Sequence, residues 1–375
     1  MRISDVSIYR ISIPFRRPLG HALYWRDKAD AIILSISSDS GQKGWGEILP
    51  RPYVGGGTLH AVLSYELPDL VRSWRGRRFG SVEEILAVLR EDIPRASRSL
   101  ATQAGWELAM LDLAGKVFGF GVGDVLGGTI GPELEPGVVI GFDVSTEMLE
   151  KHCLLLRLTG RRHIKVKVGR EDDLRRLQIV NSVFGAEIPI RLDANGAWSE
   201  HEAVVQVQRM RRWNVCSVEQ PVKAHDLNAM RHVREKTGVL VVADESLCTL
   251  QDACSIVQAR AADVFNIRLA KCGGFLTSHA LVELARDAGL ACQLGTLVGE
   301  TGILSRAAEV FGERVAGFHF LEGKLQNRHL LVQDILQEPA VRGKYGLGIT
   351  IAEERLCAWA APAQKAFEGV QHEYC

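Results

Sequence analysis

The sequence predicts an α/β protein in which a (β/α)8-type barrel, of the modified (β/α)7β form, is inserted into an α+β capping domain. Three observations predict this architecture: an antiparallel strand pattern near the start, eight later apolar segments that alternate with helical patterns, and only about fifty residues after the last segment. The 375 residues suit two domains better than one. We expect residues 1–130 plus 323–375 to form the capping domain and residues 131–322 to form the barrel.

The first part of the chain carries the pattern of a sheet followed by helices. Residues 2–15 alternate as a strand, and Ala29–Ser37 with Gln42–Glu47 read as a hairpin around a glycine-bearing turn. The period then becomes helical, and the helix predicted over Leu100–Val117 ends at Gly119. The helical period places Ala104, Leu108, Leu111 and Ala114 on one face of that helix.

Eight short apolar segments follow, and a helix-like stretch comes after each of them. They are Val138–Val144, His163–Val168, Pro189–Asp193, Cys216–Glu219, Leu240–Asp244, Asp263–Ala270, Leu290–Gly295 and Gly317–Leu321. Repeated strand and helix units of this kind are typical of a parallel barrel. A doubly wound sheet is the alternative, but no Gly-x-Gly-x-x-Gly follows an early strand, so a dinucleotide site lacks its signature.

The composition favours a small-molecule enzyme. Lysine plus arginine (45) balances aspartate plus glutamate (45), so we expect neither a nucleic acid nor a membrane as a partner. The apolar runs are far shorter than a bilayer span and no signal-peptide pattern is visible, which predicts a cytoplasmic location. The eight cysteines, without a Cys-x-x-Cys pair, are expected to be reduced packing residues, and Cys272 is of interest because it follows Lys271.

Three carboxylates stand at the predicted strand ends. Asp193, Glu219 and Asp244 are separated by 26 and 25 residues, one strand and helix unit each, so they should converge at one rim of the barrel. Two such charges would repel by about 4 kcal/mol at 4 Å in a dielectric near 20. A cation should therefore lie between them, and an all-oxygen ligand set favours Mg²⁺ over Zn²⁺. Solvated carboxylates in salt bridges are the alternative.

Three lysines flank these carboxylates in the sequence. Lys165 and Lys167 share the inward side of one strand, and Lys271 ends a later strand, 27 residues after Asp244. We expect mutual repulsion, a metal and partial burial to lower the pKa values of the Lys165 and Lys167 pair, which lets a lysine act as a base near neutral pH. Such lysines on both faces of a substrate could exchange a proton next to its carboxylate. A structural role, neutralising the carboxylates, is the alternative.

The order and spacing of several short motifs resemble one known family. The motifs are Gly44-Trp45-Gly46-Glu47, Ala109–Lys116 with Leu126-Gly127-Gly128, Lys165–Gly169, Asp193-Ala194-Asn195, Glu219-Gln220-Pro221, Ala243-Asp244-Glu245 and Lys271-Cys272-Gly273-Gly274. With them the sequence is similar to the enolase superfamily, and specifically to its muconate-lactonizing-enzyme subgroup. The resemblance covers nearly the whole chain.

The resemblance implies roles for individual residues. It assigns Asp193, Glu219 and Asp244 to a Mg²⁺ ion, for which Mn²⁺ could substitute, and Lys167 and Lys271 to the two faces of the substrate. Further implied residues are Lys165, which tunes its neighbour; Asn195, which supports the ligands; Tyr24, Arg51 and Tyr53, in capping loops that close over substrate; and Glu300, near a strand-end acid. The family also implies a homo-oligomer.

Departures from the family pattern narrow the function. Cys292–Gly295 holds no histidine at the seventh strand, which disfavours the mandelate racemase and acid-sugar dehydratase branches. Phe318–Glu322 lacks the Asp-x-Asp that binds a dipeptide ammonium group at the eighth strand. The leading hypothesis is therefore racemisation or epimerisation of an N-acylated amino acid or related carboxylate through an enediolate. The alternatives are muconate-type cycloisomerisation, dehydration to o-succinylbenzoate and a non-catalytic binding protein.

Overall fold

The computed structural model describes residues 1–20, 25–55, 57–96, 99–127, 130–337 and 343–361. Three antiparallel strands open the chain and form one sheet in the order β1-β2-β3. They are β1 (Ile3–Gly20), β2 (Trp25–Ser38) and β3 (Lys43–Ile48). The β2–β3 hairpin confirms the predicted turn. Strands β1 and β2 are longer than their alternation indicated, because they pair with each other as far as Gly20 and Trp25.

Helices pack against this sheet. They are α1 (Leu59–Ala61), α2 (Leu67–Trp74), α3 (Val82–Ala96) and α4 (Leu100–Phe118), with a π-helical turn at Val62–Glu66 between α1 and α2. Ser99 caps the start of α4 by accepting the N–H of Thr102, and Gly119 ends the helix in the left-handed conformation at φ 83°. The predicted end of α4 is thus confirmed.

Helix α4 is buried on all sides, not only on the face that carries Ala104, Leu108, Leu111 and Ala114. Every residue from Ala101 to Gly115 is buried. On one side β3 lies so close that a Cβ on Gly46 would stand 2.0 Å from the carbonyl oxygen of Gly105. On the other side Glu107 accepts the backbone N–H of Phe275, at the start of a barrel helix. Helix α4 therefore joins the capping sheet to the barrel.

Eight parallel strands close into a barrel, in the order β4-β5-β6-β7-β8-β9-β10-β11 with β11 beside β4. They are β4 (Glu135–Ile140), β5 (Ile164–Lys167), β6 (Ile190–Asp193), β7 (Val215–Glu219), β8 (Leu240–Ala243), β9 (Val264–Ile267), β10 (Ala291–Leu294) and β11 (Phe320–Glu322). Each predicted segment overlaps one of these strands. The largest shift is at β4, because the chain turns directly after Ile140. The predicted barrel with its capping sheet is confirmed.

Seven helices alternate with the barrel strands and two more follow them. They are α5 (Thr146–Leu158), α6 (Asp173–Phe184), α7 (Glu200–Met210), α8 (Leu227–Thr237), α9 (Leu250–Ala259), α10 (Phe275–Asp287), α11 (Gly302–Arg314), α12 (Lys324–Leu330) and α13 (Glu353–Trp359). After the barrel the chain returns to the sheet, where Leu331 bridges to Phe15 and Ala360 to Ile11. In the described ranges no helix has both the length and the apolar character needed to cross a membrane.

Three cysteines are packing residues of the interior. Cys153, Cys248 and Cys272 are buried free thiols. Cys357 is disulfide-bonded, so the expectation of reduced cysteines throughout the chain was wrong at that position.

Candidate active site

The strand register places the predicted metal ligands next to one another. Lys167 pairs with Asp193, and Asp193 pairs with Glu219, so three neighbouring strands end at one level. Glu219 pairs with Val242, two residues before Asp244, and alternation puts the Asp244 side chain on the same, inward side. The three carboxylates are 2%, 2% and 0% exposed. These residues come together at the rim formed by the C-terminal ends of the barrel strands.

The third ligand position is fixed through its backbone by a residue that the sequence analysis assigned no role. The side-chain Oε1 of Gln220 accepts the N–H of Asp244 at 3.2 Å and the N–H of Ser246 at 3.0 Å. Gln220 itself has a positive φ of 38°, an uncommon conformation for a residue with a side chain. The uncommon backbone conformation of Gln220 thus accompanies a side chain that holds the backbone after β8, at Asp244 and Ser246.

The two lysines assigned to the substrate faces lie on opposite strands. Lys167 ends β5, and Lys271 follows β9, which is four strands away in either direction around the closed barrel. The ammonium group of Lys167 donates to Oδ1 of Asn195 at 2.9 Å. The ammonium group of Lys271 donates to the carbonyl oxygens of Asp244, at 2.7 Å, and Leu247. The carboxylates of the intervening strands therefore lie between the two amines.

Asn195 connects one lysine to a further buried carboxylate. Its amide Nδ2 donates to Oε1 of Glu245 at 3.1 Å, while its backbone N–H reaches Oδ1 of Asp193 at 3.2 Å. The other oxygen of Glu245, Oε2, is buried with no hydrogen-bond donor. The predicted supporting role of Asn195 agrees with this position between Lys167 and the ligands.

Arg268 lies between two of the predicted ligands. Its Nη2 is 2.6 Å from Oδ2 of Asp244 and 3.1 Å from Oε1 of Glu219. Gly295 makes room for this side chain, because a Cβ there would come within 3.1 Å of the Arg268 Nε. Sequence analysis missed Arg268, although it falls two residues after the inward-facing Asn266 and the period of two could have identified it.

The donor set fits a hard divalent cation. All three ligands are carboxylates, and both oxygens of Asp244 are buried without a hydrogen bond, although Arg268 and Lys271 lie within ion-pair distance. As the side chains stand, however, no group of three metal-binding residues is drawn together in the part of the chain that the structure describes. The guanidinium of Arg268 provides the positive charge between Glu219 and Asp244 instead.

A second layer of charged residues lies deeper in the barrel. Lys165 contacts Oε2 of Glu322 at 2.6 Å and both carboxylate oxygens of Glu219 at 2.9 Å. Arg191 donates to Oε1 of Glu322 at 2.7 Å and stacks over the ring of Phe320 at 4.2 Å. Gly137 leaves the space for this stack, because a Cβ there would meet the Phe320 ring at 3.1 Å. The interior of the barrel is therefore a network of paired charges.

These pairs change the expected pKa values. Burial alone would lower the pKa of Lys165, but Asp193, Glu219 and a third carboxylate outweigh burial and raise it above its ordinary value. The pKa of Lys271 is raised as well, because Cys272 and Asp244 outweigh its burial. The expected lowering for the lysine pair named a nearby metal ion among its causes; the charges of the chain itself shift the pKa of Lys165 in the opposite direction.

The pKa values of two carboxyl groups are shifted as well. Burial favours the protonated form of Asp193, but Lys165 and Lys167 outweigh it and hold the pKa of Asp193 well below its usual range. Burial raises the pKa of Asp244 well above its ordinary value, since the positive charge of Arg268 compensates it only in part. The chain therefore balances the negative charge of Asp193 more completely than that of Asp244.

The capping domain contributes a loop whose described residues include 50–55. A Cβ on Gly55 would lie 3.2 Å from both the Cys248 Sγ and the Lys271 carbonyl oxygen, so this loop covers the β8 and β9 ends. Tyr53 is 36% exposed in the same loop. Arg51 is buried and donates to the carbonyl oxygens of Asp30, Pro50 and Val298, which ties the loop to the barrel. Tyr24 lies outside the described residues.

Glu300 is buried at the start of α11. Its Oε1 accepts the N–H of Leu297 at 2.6 Å, and its Oε2 has no hydrogen-bond partner. Burial raises the pKa of Glu300 to about 8. The structure does not bring Glu300 into hydrogen-bond contact with the predicted ligands or lysines.

Comparison with known proteins identifies the family. A family model described as Enolase C-terminal domain-like matches residues 148–355, which is more than half of the chain. The chain belongs to the enolase superfamily. Chloromuconate cycloisomerases are among its relatives, and the predicted resemblance to the muconate-lactonizing-enzyme subgroup is confirmed. The curated relatives of this enolase-superfamily chain are epimerases, racemases and cycloisomerases, so it is an isomerase of that superfamily.

Individual relatives cover most of this enolase-superfamily chain. It is 30% identical to the hydrophobic dipeptide epimerase of Enterococcus faecalis, over 82% of this chain and 86% of that protein. It is 28% identical to the N-succinyl-L-Arg/Lys racemase of Bacillus cereus, over 95% of this chain and 97% of that protein. The crystal structure of a dipeptide epimerase from Enterococcus faecalis, complexed with Mg and L-Leu-L-Tyr, has a TM-score of 0.83 and 28% identity, covering 93% and 100% of the two chains.

Proposed function

We propose that this protein is a Mg²⁺-dependent racemase or epimerase that exchanges the α-proton of an N-acylated amino acid, with Mn²⁺ as a substitute metal. The observation that carries the proposal is the placement of Lys167 and Lys271 on opposite strands of the barrel, with the carboxylates Asp193, Glu219 and Asp244 on the strands between them. A substrate carboxylate held at these ligands would expose one face of its α carbon to each lysine.

Two amines on opposite faces perform the exchange. The Cα–H bond breaks as the Nζ of one lysine takes the proton, and the electron pair stays on the substrate as an enediolate. The Nζ of the other lysine then gives a proton to the opposite face of the same carbon. Mg²⁺ held by the three carboxylates would stabilise the negative charge that develops on the substrate carboxylate.

Hydrogen bonds orient both amines for this task. Lys271 donates to two carbonyl oxygens, and Lys167 donates to Asn195, which leaves at least one N–H of each ammonium group for the substrate. Lys165 contacts Glu219 and Glu322 and is 2% exposed, so in this proposal it balances charge without touching the α-proton.

The eighth strand supports an N-acylated substrate over a free dipeptide. Glu322 is already paired with Lys165 and Arg191, and the Phe320 ring is stacked between Arg191 and His163. A free ammonium group buried at this place would lack an unpaired carboxylate, which is costly. The epimerase of Enterococcus faecalis and the racemase of Bacillus cereus differ in substrate by their names, so the paired state of Glu322 is the reason for preferring the acylated class here.

A pooled-substrate experiment tests the proposal. The protein with Mg²⁺ is incubated in deuterium oxide with N-acetyl and N-succinyl amino acids and, in a parallel pool, free dipeptides. We expect a mass gain of one deuteron in N-acylated members and efficiencies on free dipeptides more than tenfold lower. A mass gain confined to free dipeptides would refute the substrate class, and the absence of any metal-dependent gain in either pool would refute the activity.

A further inference from the structure

An arginine stands between two aromatic rings where the capping domain meets the barrel. The guanidinium carbon of Arg170 lies 4.1 Å from the ring centroid of Phe142 and 5.7 Å from that of Trp25. Arg170 follows the end of β5, Phe142 follows the end of β4, and Trp25 begins β2. All three therefore lie at the rim where the catalytic strands end, on the side of Lys167.

The Phe142 ring is a fixed platform. The buried Arg176 donates to the carbonyl oxygen of Gly141 and to that of Val144, both at 2.7 Å, and so clamps the loop on either side of Phe142. The guanidinium of Arg176 also lies 5.6 Å from the same ring. Only 8% of Phe142 is exposed. The surface on which Arg170 rests therefore has little freedom to move.

The backbone of Arg170 is fixed as well. Oδ2 of Asp173 accepts the N–H of Gly169 at 2.6 Å and the N–H of Arg170 at 3.0 Å. Arg170 follows Lys167 by three residues, so the two Cα atoms are at most about 10 Å apart. Lys167 and Arg170 therefore belong to one short segment at the same rim of the barrel.

The guanidinium of Arg170 is held but not paired. It makes no ion pair and donates no side-chain hydrogen bond to any described residue. A guanidinium that stacks on an aromatic ring keeps the N–H groups at its edge free. Two of these N–H groups can donate side by side to the two oxygens of a carboxylate. Trp25, which is 52% exposed, covers the other side of the stack. A preorganised, unpaired cation beside the catalytic rim is suited to an anionic group of the substrate.

We propose that Arg170 binds a second carboxylate of the substrate, remote from the reacting carbon, so that the preferred substrates are N-acylated amino acids with a distal acid. This inference rests on the proposed function. The distal acid could belong to the acyl group, as in an N-succinyl amino acid, or to the side chain, as in N-acetylglutamate. N-acetylalanine carries neither and is the reference substrate.

The test compares kcat/KM for N-succinylalanine, N-acetylglutamate and N-acetylalanine in wild type and in Arg170→Met. Because a hydrogen bond to a charged group contributes about 1.5–3 kcal/mol, the ratio of a distal-acid substrate to N-acetylalanine should fall by at least about tenfold, mainly through KM. Arg162→Met, an exposed arginine at the other end of β5, is the control and should leave the ratio unchanged. A lower ratio for N-succinylalanine in Arg170→Met would identify the acyl carboxylate as the group that Arg170 binds. A lower ratio for N-acetylglutamate would identify the side-chain carboxylate. Unchanged ratios for both would overturn the proposal.

A binding measurement separates this proposal from the proposed function. The fluorescence of Trp25, taken as the difference between wild type and Trp25→Phe, is followed while N-succinylalanine or N-acetylglutamate is added in the presence of Mg²⁺. We expect a saturable change whose Kd rises at least tenfold in Arg170→Met, whether or not the ligand turns over. Turnover with equal Kd values in both proteins would overturn the role of Arg170 and leave the activity standing. Binding that depends on Arg170 without any turnover would support the role of Arg170 and refute the proposed activity.

Discussion

Arg268 places its Nη2 2.6 Å from Oδ2 of Asp244, so a guanidinium occupies the position beside a carboxylate that the family assigns to a metal ion. The same nitrogen is 3.1 Å from Glu219. Arginine remains charged at any pH at which the protein is folded, so this cation cannot leave by losing a proton. A Mg²⁺ ion bound as proposed would therefore compete with Arg268 for the same carboxylate oxygens.

Replacement of Arg268 should lower the thermal stability of the metal-free protein and increase its stabilisation by Mg²⁺. In Arg268→Met the buried Asp244 and Glu219 lose a counter-charge, and leaving a buried charge unpaired costs about 3–5 kcal/mol. We expect a lower Tm in EDTA and a larger rise in Tm on addition of Mg²⁺ than in wild type. Arg268→Lys, which keeps a cation, should fall between the two. An equal Mg²⁺-dependent rise in wild type and Arg268→Met would contradict competition for the same oxygens.

Glu322 should be important for stability because the buried Lys165 and the largely covered Arg191 both pair with it. Glu322→Gln removes the carboxylate that lies 2.6 Å from Lys165 and 2.7 Å from Arg191. Breaking a buried pair of this kind lowers the free energy of unfolding by about 3–5 kcal/mol. Glu283→Gln, which removes an exposed pair with Arg286, is the matched control and should change it by less than about 1 kcal/mol. Urea unfolding measures the free energy of unfolding of both variants. Equally small decreases in Glu322→Gln and Glu283→Gln would show that the interior network is not stabilising.

The pH dependence of stability should reflect a buried acid between the two domains. Burial raises the pKa of Glu107 to about 8, from an ordinary value of 4.5. Between these values the unfolded chain has lost the proton that the folded chain keeps, so the stability present at low pH is lost as the pH rises towards 8. In Glu107→Gln, unfolding free energy between pH 5 and 8 should decline less steeply than in wild type. Identical slopes would contradict the raised pKa.

The sequence was sufficient to locate the strand ends and their charges. Even spacing placed Asp193, Glu219 and Asp244 on consecutive strands, and the register of β5, β6 and β7 brings the first two beside Lys167. Alternation alone predicted that Lys165 and Lys167 point inward, and both are buried. These predictions hold because each depends on local periodicity and on the fixed geometry of parallel strands.

Other features depend on contacts between distant segments. The complete burial of α4 follows from β3 and α10 packing on opposite sides of it. The partners of Lys165 include Glu322, 157 residues away, and the strand patterns give no sign of that pairing. The direction of the lysine pKa shifts follows from such pairings, so it could not be predicted before the side chains were placed.

Single-lysine variants should separate the two faces of the substrate. Lys271→Ala should stop interconversion of the enantiomers but retain deuterium exchange into the one handled by Lys167, and Lys167→Ala should show the opposite preference. Lys165→Ala should reduce exchange into both enantiomers together, because in the proposed mechanism it touches neither α-proton. Chiral chromatography with mass detection measures each enantiomer. Loss of both exchanges in all three variants would contradict separate roles for Lys167 and Lys271.

The most direct test of two-faced proton transfer uses the wild-type protein. An enantiomerically pure N-acylated amino acid that is turned over is incubated with Mg²⁺ in deuterium oxide, and the label is measured in the residual substrate and in its antipode at early times. With Lys167 and Lys271 on opposite faces, both enantiomers should gain deuterium at the α carbon, and the reaction started from the antipode should give the same result. Deuterium found only in the same one enantiomer from both starting points, with no deuterated antipode formed from it, would show that chemistry occurs on a single face, and would contradict the racemase mechanism.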